Sequence, residues 1–229
     1  MRARRRLTWL FDLDNTLHDA SHAIFPAING NMNAAIARVL DAEQKPAHPE
    51  AVDAVRMAYW QRYGATLLGM MRHHAVRAEE FLRDAHCFDN LSQMIRAERG
   101  LARMFRRLPG NKILLTNAPK TYARDVVRHI GLHRHFAEHI PIESMVVHGK
   151  LRPKPSRLML RQLLARRGLH ARDCVLVEDT LANLKSAKSL RMRTVWFTGY
   201  LRSVRHCPGF VDVQVKSLNA LRKKLRRLM

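Results

Sequence analysis

The sequence is poor in cysteine, and it lacks long apolar runs. Its 229 residues include three cysteines that are far apart and form no CxxC pair, so neither a disulfide framework nor a zinc ribbon is indicated. No apolar run approaches the ~18 residues of a membrane span. The opening MRARRR imitates a signal peptide, but the apolar stretch after it ends after five residues. We therefore expect a cytoplasmic protein without membrane association.

Acidic residues are also scarce. The sequence has 41 Lys and Arg and 19 Asp and Glu, so its formal net charge is +22. This charge by itself suggests a polyanionic partner. The excess is uneven, because residues 19–99 carry 9 basic and 10 acidic side chains, whereas residues 100–229 carry 28 and 7. Nucleic-acid-binding chains more often interleave basic residues with aromatic ones, which amount to only 7% here. Nucleic-acid binding is therefore compatible with the charge but not required by it, and the sequence assigns no oligomeric state.

Four short apolar runs predict strands that are buried on both faces of a parallel sheet. They are residues 7–11, 112–115, 174–177 and 194–197, and a fifth candidate strand is 211–215. Stretches with helical periodicity, at 120–130 and 156–167, lie between them. This alternation predicts an α/β domain with a doubly wound parallel sheet, and such sheets bind ligands at the carboxyl ends of their strands.

Residues 19–99 contain amphipathic helical stretches and no convincing strand. Because they separate the first two strands and are too long for an ordinary connection, we expect a second, all-helical domain. Inserted after the first strand, this domain would stand over the ligand site as a cap. The predicted organisation is an α/β core of residues 1–18 and 100–216, a helical cap of residues 19–99, and a basic amphipathic helix of residues 217–229. That helix could dock on the core or bind an anionic surface.

The first three predicted strands each end in side chains that could do chemistry. These are Asp12 and Asp14, then Thr116 and Asn117, then Glu178 and Asp179. A parallel sheet brings such ends together. Four carboxylates in one crevice repel one another unless a cation is present, and oxygen ligands suit a hard divalent ion such as Mg²⁺. One polar strand end commonly just begins a turn or caps a helix, but three together indicate a site.

The spacing of Asp12 and Asp14 suggests a pair of cooperating carboxylates. If the strand continues through both, they point the same way. One could attack a phosphoryl group while the other passes a proton to the leaving group, and a nearby metal would neutralise the attacking carboxylate. Lys154 lies between two prolines. A rigid lysine there suits anchoring a carboxylate and a phosphate, with a solvated loop lysine as the alternative.

These residues resemble the four motifs of the haloacid dehalogenase-like (HAD) hydrolases. The matching segments are Phe11-Asp12-Leu13-Asp14-Asn15-Thr16-Leu17, Leu115-Thr116-Asn117, Lys154-Pro155-Ser156, and Val177-Glu178-Asp179 followed by Asn183. Their order and spacing cover residues 9–200. The resemblance implies a Rossmann-like core, a helical cap after the first strand, and Mg²⁺-dependent phosphoryl transfer through an aspartyl-phosphate. Dehalogenases of this superfamily lack the second aspartate and need no metal, so Asp14 favours phosphomonoester hydrolysis.

The resemblance also implies a role for each motif residue. Asp12 would be the nucleophile, and Asp14 the general acid and then the base for water. Thr116, the backbone of Asn117, and Lys154 would hold the phosphoryl oxygens. The implied Mg²⁺ ligands are Asp12, the main-chain carbonyl of Asp14, Asp179 and, through a bound water, Glu178. Many members have aspartate where this chain has Glu178.

A narrower resemblance links the chain to the pyrimidine 5′-nucleotidase-like branch. It rests on Tyr63-Gly64-Ala65-Thr66-Leu67-Leu68-Gly69-Met70, Thr116-Asn117-Ala118 and Asp179-Thr180-Leu181-Ala182-Asn183-Leu184. It implies a nucleoside monophosphate substrate and a pocket shaped by cap residues. Candidate pocket residues are Tyr63, Thr66, Leu67 and Met70, with plain cap packing as the alternative, and His18, with a surface histidine as the alternative. Rival substrates are phosphoglycolate and sugar phosphates; outside the enzymes, the rival is a basic nucleic-acid-binding protein on the same scaffold.

Overall fold

The computed structural model describes residues 7–203 and 206–228 and divides into two units. Residues Met1–Ala20 and Ile95–Met229 form the α/β unit, and residues Ser21–Met94 form the helical unit. The sequence analysis set the limits of the helical insertion at 19 and 99. The charged opening, residues 1–6, and the last residue of the predicted tail, Met229, lie outside the described residues.

The α/β unit is built on a sheet of parallel strands. The strands in the described residues are β1 Thr8–Phe11, β2 Asn111–Leu115, β3 Glu138–Ile140, β4 Val146–Val147, β5 Lys150–Leu151, β6 Cys174–Glu178, β7 Arg193–Phe197 and β8 Val213–Val215. Six of them form the sheet, in the order β3-β2-β1-β6-β7-β8. Strands β4 and β5 form a separate antiparallel pair. The doubly wound α/β class is confirmed, and the five predicted strands all occur; β3 and the β4–β5 pair were not predicted.

The helical unit contains five helices and no strand among its residues. They are α1 Ile24–Ala42, α2 Pro49–Tyr63, α3 Thr66–His73, α4 Ala78–Ala85 and α5 Leu91–Met94. Helix α2 ends at Gly64, whose positive φ of 78° suits glycine. A Cβ on Gly69 would lie 2.2 Å from the ring of Tyr59, so this glycine allows α3 to pack closely on α2. In the part of the chain that the structure describes, no helix has the length and apolar character needed to cross a membrane.

The remaining helices cover the sheet. They are α6 Leu101–Arg107, α7 Lys120–His129, α8 Arg157–Arg166 and α9 Leu181–Ser189, together with 3-10 helices at Ile142–Ser144, Ala171–Asp173 and Leu218–Arg227. Helix α8 begins after Ser156, whose hydroxyl accepts a hydrogen bond from the Met159 amide. Two helices therefore match the predicted segments 120–130 and 156–167 to within one residue at each end.

The central strand β1 is buried on both faces, as its uninterrupted apolar run predicts. Trp9 and Phe11 point to one side, where Phe11 packs against Phe105 with ring centroids 4.8 Å apart. Leu10 points to the other side and joins the main aliphatic core. After Phe11, where the strand ends, the chain continues with Asp12, so the apolar core ends where the candidate site begins.

The C-terminal segment docks on the α/β unit. Its 3-10 helix, Leu218–Arg227, buries Leu218 and Leu221, and Leu228 is buried just beyond it. Glu98 accepts hydrogen bonds from the Ser217 hydroxyl at 2.6 Å and from the Leu218 amide at 3.0 Å. Of the two alternatives for this segment, docking is the one that the structure supports. Arg222, Lys223, Arg226 and Arg227 are exposed.

Candidate active site

Three strand ends meet at the carboxyl edge of the sheet. Phe11 lies opposite Leu114 of β2 and Val177 of β6, so the next residue, Asp12, lies between the ends of these two strands. The Asp12 amide donates to the Val177 carbonyl at 3.0 Å, and the Thr116 amide donates to the Ile140 carbonyl at 3.1 Å. The sheet thus gathers the polar ends that the sequence places more than 160 residues apart.

Lys154 is an ion-pair partner of two of these carboxylates. Its side chain is only 3% exposed, and its Nζ lies 2.6 Å from Asp12 Oδ1 and 2.7 Å from Glu178 Oε2. The alternative of a solvated loop lysine is therefore wrong. The side chain of Asn117 fixes the lysine backbone, since it donates to the Lys154 carbonyl at 3.0 Å and accepts from the Lys154 amide at 2.9 Å.

Three carboxylates form a cluster that could hold a metal ion. One oxygen each from Asp12, Glu178 and Asp179 lies within 4.8 Å of the others, and no other such group of His, Cys, Asp and Glu occurs within residues 7–203 and 206–228. Asp179 is held from two sides, because the Thr180 hydroxyl donates to its Oδ1 at 3.0 Å and the Trp196 indole N–H donates to its carbonyl at 2.8 Å.

The electrostatics of this cluster favour an added cation. Burial, and then the charge of Glu178, raise the pKa of Asp12 to about 7. Burial also raises the pKa of Glu178 to about 7 and that of Asp179 to about 6. Burial alone would lower the pKa of Lys154, but Asp12 and Glu178 outweigh it and raise that pKa. One lysine charge thus faces three carboxylates, and a hard divalent ion with oxygen ligands fits the remaining negative charge.

Two side chains that the sequence analysis did not connect with Asp14 lie in contact with its carboxylate. The Tyr122 hydroxyl donates to Asp14 Oδ1 at 2.6 Å, and His18 Nε2 lies 2.9 Å from the same oxygen. Burial, and then Asp14, raise the pKa of Tyr122 well above its ordinary value, so the hydroxyl stays protonated as a donor. His18 is fully buried, and the surface alternative for this residue is wrong.

A second unpredicted contact orients the candidate nucleophile. The Thr16 hydroxyl donates to Asp12 Oδ2 at 3.0 Å, while Asp12 Oδ1 pairs with Lys154. Thr16 is part of the first motif, but its side chain had no assigned role. Tyr122 carried one usable signal: it stands in the first turn of a helix that directly follows the second polar strand end, where an amphipathic side chain can reach the site.

The sequence matches the family model described as haloacid dehalogenase-like hydrolase over residues 8–191. The chain belongs to this family. It is therefore a hydrolase, as the sequence analysis predicts. The assignment of this HAD-like hydrolase to the superfamily from its four motifs is confirmed.

Solved structures share the fold of this HAD-like hydrolase. A HAD phosphatase from Thermococcus onnurineus is 19% identical, with a TM-score of 0.65, and the match covers 96% of this chain and 97% of that chain. A putative HAD-hydrolase from Bacillus subtilis, bound to magnesium, is 14% identical, with a TM-score of 0.59 and coverage of 97% and 100%. A predicted phosphoglycolate phosphatase from Haemophilus somnus 129pt is 16% identical, with a TM-score of 0.61 and coverage of 97% and 99%.

The other predicted site residues of the HAD-like hydrolase fall into two groups. Thr116 is buried at the sheet edge, and its hydroxyl accepts from the Ala118 amide at 3.0 Å. The pocket candidates Tyr63, Thr66, Leu67 and Met70 all belong to the helical unit. There Leu67 and Met70 are buried, the Thr66 hydroxyl donates to the Arg56 carbonyl, and the Tyr63 hydroxyl lies 2.6 Å from His73 Nε2. Their role in substrate recognition stays a prediction.

Proposed function

We propose that this hydrolase is a Mg²⁺-dependent phosphomonoester phosphatase that works through an aspartyl-phosphate on Asp12. The observation that carries the proposal is the setting of Asp12. Its two carboxylate oxygens are held by Lys154 and Thr16, and its acidic neighbours are suited to a divalent ion. Asp14, a second carboxylate two residues along the chain, supplies the proton transfers that a phosphate ester needs.

Asp12, Asp179, the main-chain carbonyl of Asp14 and, through water, Glu178 would hold the Mg²⁺. When bound, the ion offsets the repulsion between the nucleophilic carboxylate and an anionic phosphoryl group. The carboxylate donor set and its excess negative charge support this choice of metal. Support also comes from the Bacillus subtilis relative, which was solved bound to magnesium.

Hydrolysis would proceed in two displacements. An oxygen of Asp12 attacks phosphorus, the ester P–O bond breaks, and Asp14 gives its proton to the leaving alcohol. Asp14, now ionised, then takes a proton from water, whose oxygen attacks the same phosphorus. The P–O bond to Asp12 breaks, inorganic phosphate leaves, and both aspartates return to their starting states.

Three groups would bind the oxygens of the transferring phosphoryl group. They are the Thr116 hydroxyl, the backbone amide of Asn117, and the Lys154 ammonium. Positive charge and preorganised donors at the position of a phosphoryl group stabilise its transition state more than its ground state. The double hydrogen bond between Asn117 and the Lys154 backbone supports this assignment, because it couples the second motif to the third.

For the substrate we propose a nucleoside 5′-monophosphate, with pyrimidine nucleotides preferred. The proposal rests on the similarity of segment 63–70 and of the second and fourth motifs to the pyrimidine 5′-nucleotidase-like branch. Phosphoglycolate and sugar phosphates are the competing substrates. Two solved relatives are described as phosphoglycolate phosphatases, one putative and one predicted.

A phosphate-release screen with Mg²⁺ tests both levels of the proposal. The panel contains UMP, CMP, AMP, phosphoglycolate, glucose 6-phosphate and p-nitrophenyl phosphate, with 2-chloropropionate and chloride detection as the dehalogenase control. We expect phosphate release that EDTA abolishes and added Mg²⁺ restores, with the highest kcat/KM for UMP or CMP. A preference for phosphoglycolate would overturn the nucleotide assignment alone. Chloride release without phosphate release would overturn the phosphatase itself.

A further inference from the structure

We infer that Tyr122 and His18 are positioning residues for Asp14, the carboxylate that exchanges protons with the leaving group and with water. The inference rests on the proposed function, because it presupposes that role for Asp14. Neither residue belongs to the four motifs: Tyr122 lies in α7, and His18 directly follows the first motif. The four motifs leave the positioning of Asp14 unassigned. This positioning role also explains why a histidine is fully buried so close to the sheet edge.

The three side chains form a closed triangle of polar contacts. Tyr122 Oη and His18 Nε2 both approach Asp14 Oδ1, at 2.6 and 2.9 Å, and lie 3.3 Å from each other. Tyr122 and His18 are buried, whereas the Asp14 side chain is 16% exposed. Two buried groups therefore hold a carboxylate that itself still reaches the solvent side of the site.

The hydrogen-bonding capacity of each group decides which proton goes where. A carboxylate oxygen only accepts, so Tyr122 donates through its hydroxyl and His18 through Nε2–H. His18 Nδ1 has no hydrogen-bond partner among the described residues, so the polar contacts that orient this ring are made through Nε2. Two donors on the same oxygen fix the orientation of the Asp14 carboxylate.

Removal of either donor tests the inference. Tyr122→Phe deletes one hydroxyl, His18→Leu deletes the second donor, and His18→Gln keeps an N–H near the Nε2 position. The matched control is Tyr59→Phe, which deletes a hydroxyl that lies 2.7 Å from His74 in the helical unit. Loss of a charge-assisted hydrogen bond is expected to lower kcat about ten- to hundredfold, with KM changed by less than about twofold. His18→Gln should recover most of the loss, and Tyr59→Phe should stay near wild type.

Pre-steady-state kinetics with p-nitrophenyl phosphate separate positioning from a general loss of structure. Departure of p-nitrophenolate needs little help from an acid, whereas attack by water needs Asp14 as base. In Tyr122→Phe we expect a nitrophenol burst at close to the wild-type rate, followed by slowed turnover. Slowing of both phases to the same degree, or wild-type turnover in both Tyr122→Phe and His18→Leu, would overturn the inference.

The Asp14→Asn variant separates this inference from the proposed function. If Asp14→Asn also shows a burst with slow turnover, Asp14 acts as proposed, and the Tyr122 and His18 variants decide the positioning role alone. If Asp14→Asn turns over like the wild type, the proposed role of Asp14 is wrong, and the positioning role falls with it.

A separate observation concerns the surplus of positive charge. Helix α6 exposes Arg103, Arg106 and Arg107, and it packs against the C-terminal 3-10 helix, which exposes Arg222, Arg226 and Arg227. We call these six side chains the basic face. Asn219, in the first turn of the 3-10 helix, donates to the Arg99 carbonyl at 3.2 Å, which ties this helix to the segment just before α6. Residues 99–124 and 213–229 contain no Asp or Glu.

Glu98 hydrogen-bonds to the start of the 3-10 helix, but within the described residues it forms no ion pair with the arginines of the basic face. In the described ranges, none of its six arginines lies within 4.0 Å of a carboxylate oxygen, although such pairs occur elsewhere, as at Arg38 and Asp84. Arg106 also acts on the neighbouring His135, whose pKa is lowered by burial and then by Arg106. Positive charge is therefore concentrated here beyond what one small substrate requires.

The geometry points to the phosphate backbone of a nucleic-acid duplex as the partner of the basic face. The large apolar side chains that are exposed in the described residues are Met57, Trp60, Met71, Val146 and Leu158, none of them on α6 or the 3-10 helix. The face thus offers neither an apolar edge for insertion into a membrane nor an aromatic ring for base stacking. Arginines alone suit sequence-independent contact with phosphates along a double strand.

Salt-dependent binding of a fluorescent RNA duplex tests this partner. The face variant changes Arg103, Arg106 and Arg107 to Gln, and the matched control changes the exposed Arg157, Arg161 and Arg166 of α8 to Gln. With the same loss of charge, the face variant should reduce the slope of log Kd against log[salt] by about 2 to 3, and the control by less than about 1. Equal effects in both variants, tighter binding of a single strand than of the duplex, or binding of phosphatidylserine vesicles but not of RNA would each overturn the proposal.

Discussion

The two units of this hydrolase use polar residues in opposite ways. Among the described residues, thirteen polar or charged residues are buried, and twelve of them lie in the α/β unit. Thr66 is the one in the helical unit. That unit instead exposes large apolar side chains, Met57, Trp60 and Met71. Buried polar groups are held in place by their partners, so the α/β unit is suited to fixed chemistry, whereas an exposed apolar surface is suited to recognition.

The proposed nucleophile gives the most severe test of this contrast. Asp12→Asn keeps the size of the side chain but removes the carboxylate that is proposed to attack phosphorus, so kcat should fall by a factor on the order of 10⁴ or more. Steady-state phosphate release measures the loss, and circular dichroism checks the fold. Wild-type turnover in this variant would mean that the chemistry does not lie where the buried polar groups are concentrated.

Loss of one proposed metal ligand should have a smaller effect on activity than loss of Asp12. Asp179→Asn removes one of three clustered carboxylates, so the Mg²⁺ concentration for half-maximal activity should rise about ten- to hundredfold. Saturating Mg²⁺ should restore part of the activity, which distinguishes this variant from Asp12→Asn. A Mg²⁺ titration of phosphate release provides the measurement, with Asp173→Asn as the control. An unchanged Mg²⁺ requirement would remove Asp179 from the ligand set.

The pH dependence of stability also tests the clustered carboxylates of the α/β unit. The ordinary pKa is 3.8 for Asp12 and Asp179 and 4.5 for Glu178. Folding raises the pKa to about 7 for Asp12 and Glu178 and to about 6 for Asp179. The folded state binds protons more tightly, so the stability from these groups is complete below about pH 4 and is lost as the pH rises to about 7. Added Mg²⁺ should reverse that loss.

Thermal melts with and without Mg²⁺ measure this effect. The rise in Tm caused by Mg²⁺ should be small near about pH 5 and clearly larger near about pH 8, because the ion binds the ionised carboxylates. Asp179→Asn should reduce the rise. A Mg²⁺-induced shift that does not change across this pH range would contradict the assigned protonation of the cluster.

The helical unit should give the smallest effect, and one of a different kind. Tyr63→Ala is expected to change the ratio of kcat/KM between UMP and phosphoglycolate by about three- to tenfold, with little change in kcat for p-nitrophenyl phosphate. Glu79→Ala, at an exposed polar position, serves as a control in the same unit. A large fall in kcat for every substrate would contradict the proposed division between a unit for chemistry and a unit for recognition.

The sequence predicted most of the sheet because buried strands leave a clear apolar run. Strand β3 was missed because it has three residues, Glu138–Ile140, and only the last is fully buried. Its other two residues, Glu138 and His139, are polar, so no apolar run marks this strand in the sequence. The C-terminal leucine pattern predicts an amphipathic helix, and the structure has a 3-10 helix at Leu218–Arg227.

The candidate site was predictable up to the limit of local patterns. Strand ends gave Asp12, Thr116 and Glu178, since their positions follow from the parallel sheet itself. The contact of Tyr122 with Asp14 spans 108 residues and depends on the rotation of α7, which no short motif encodes. The pairing of Lys154 with two carboxylates was anticipated only in outline, because burial of the lysine follows from packing around its loop.

The hydrogen bond from Trp196 to the Asp179 carbonyl makes this tryptophan a fluorescence reporter of the site. The indole ring joins β7 to a proposed metal ligand, so occupation of the site should alter the emission of Trp196. The other tryptophans stand in contrasting surroundings: Trp9 is fully buried in β1, and Trp60 is 54% exposed in the helical unit. Acrylamide should quench Trp60 selectively. Intrinsic fluorescence can therefore follow the metal site in one unit and solvent access in the other without any attached label.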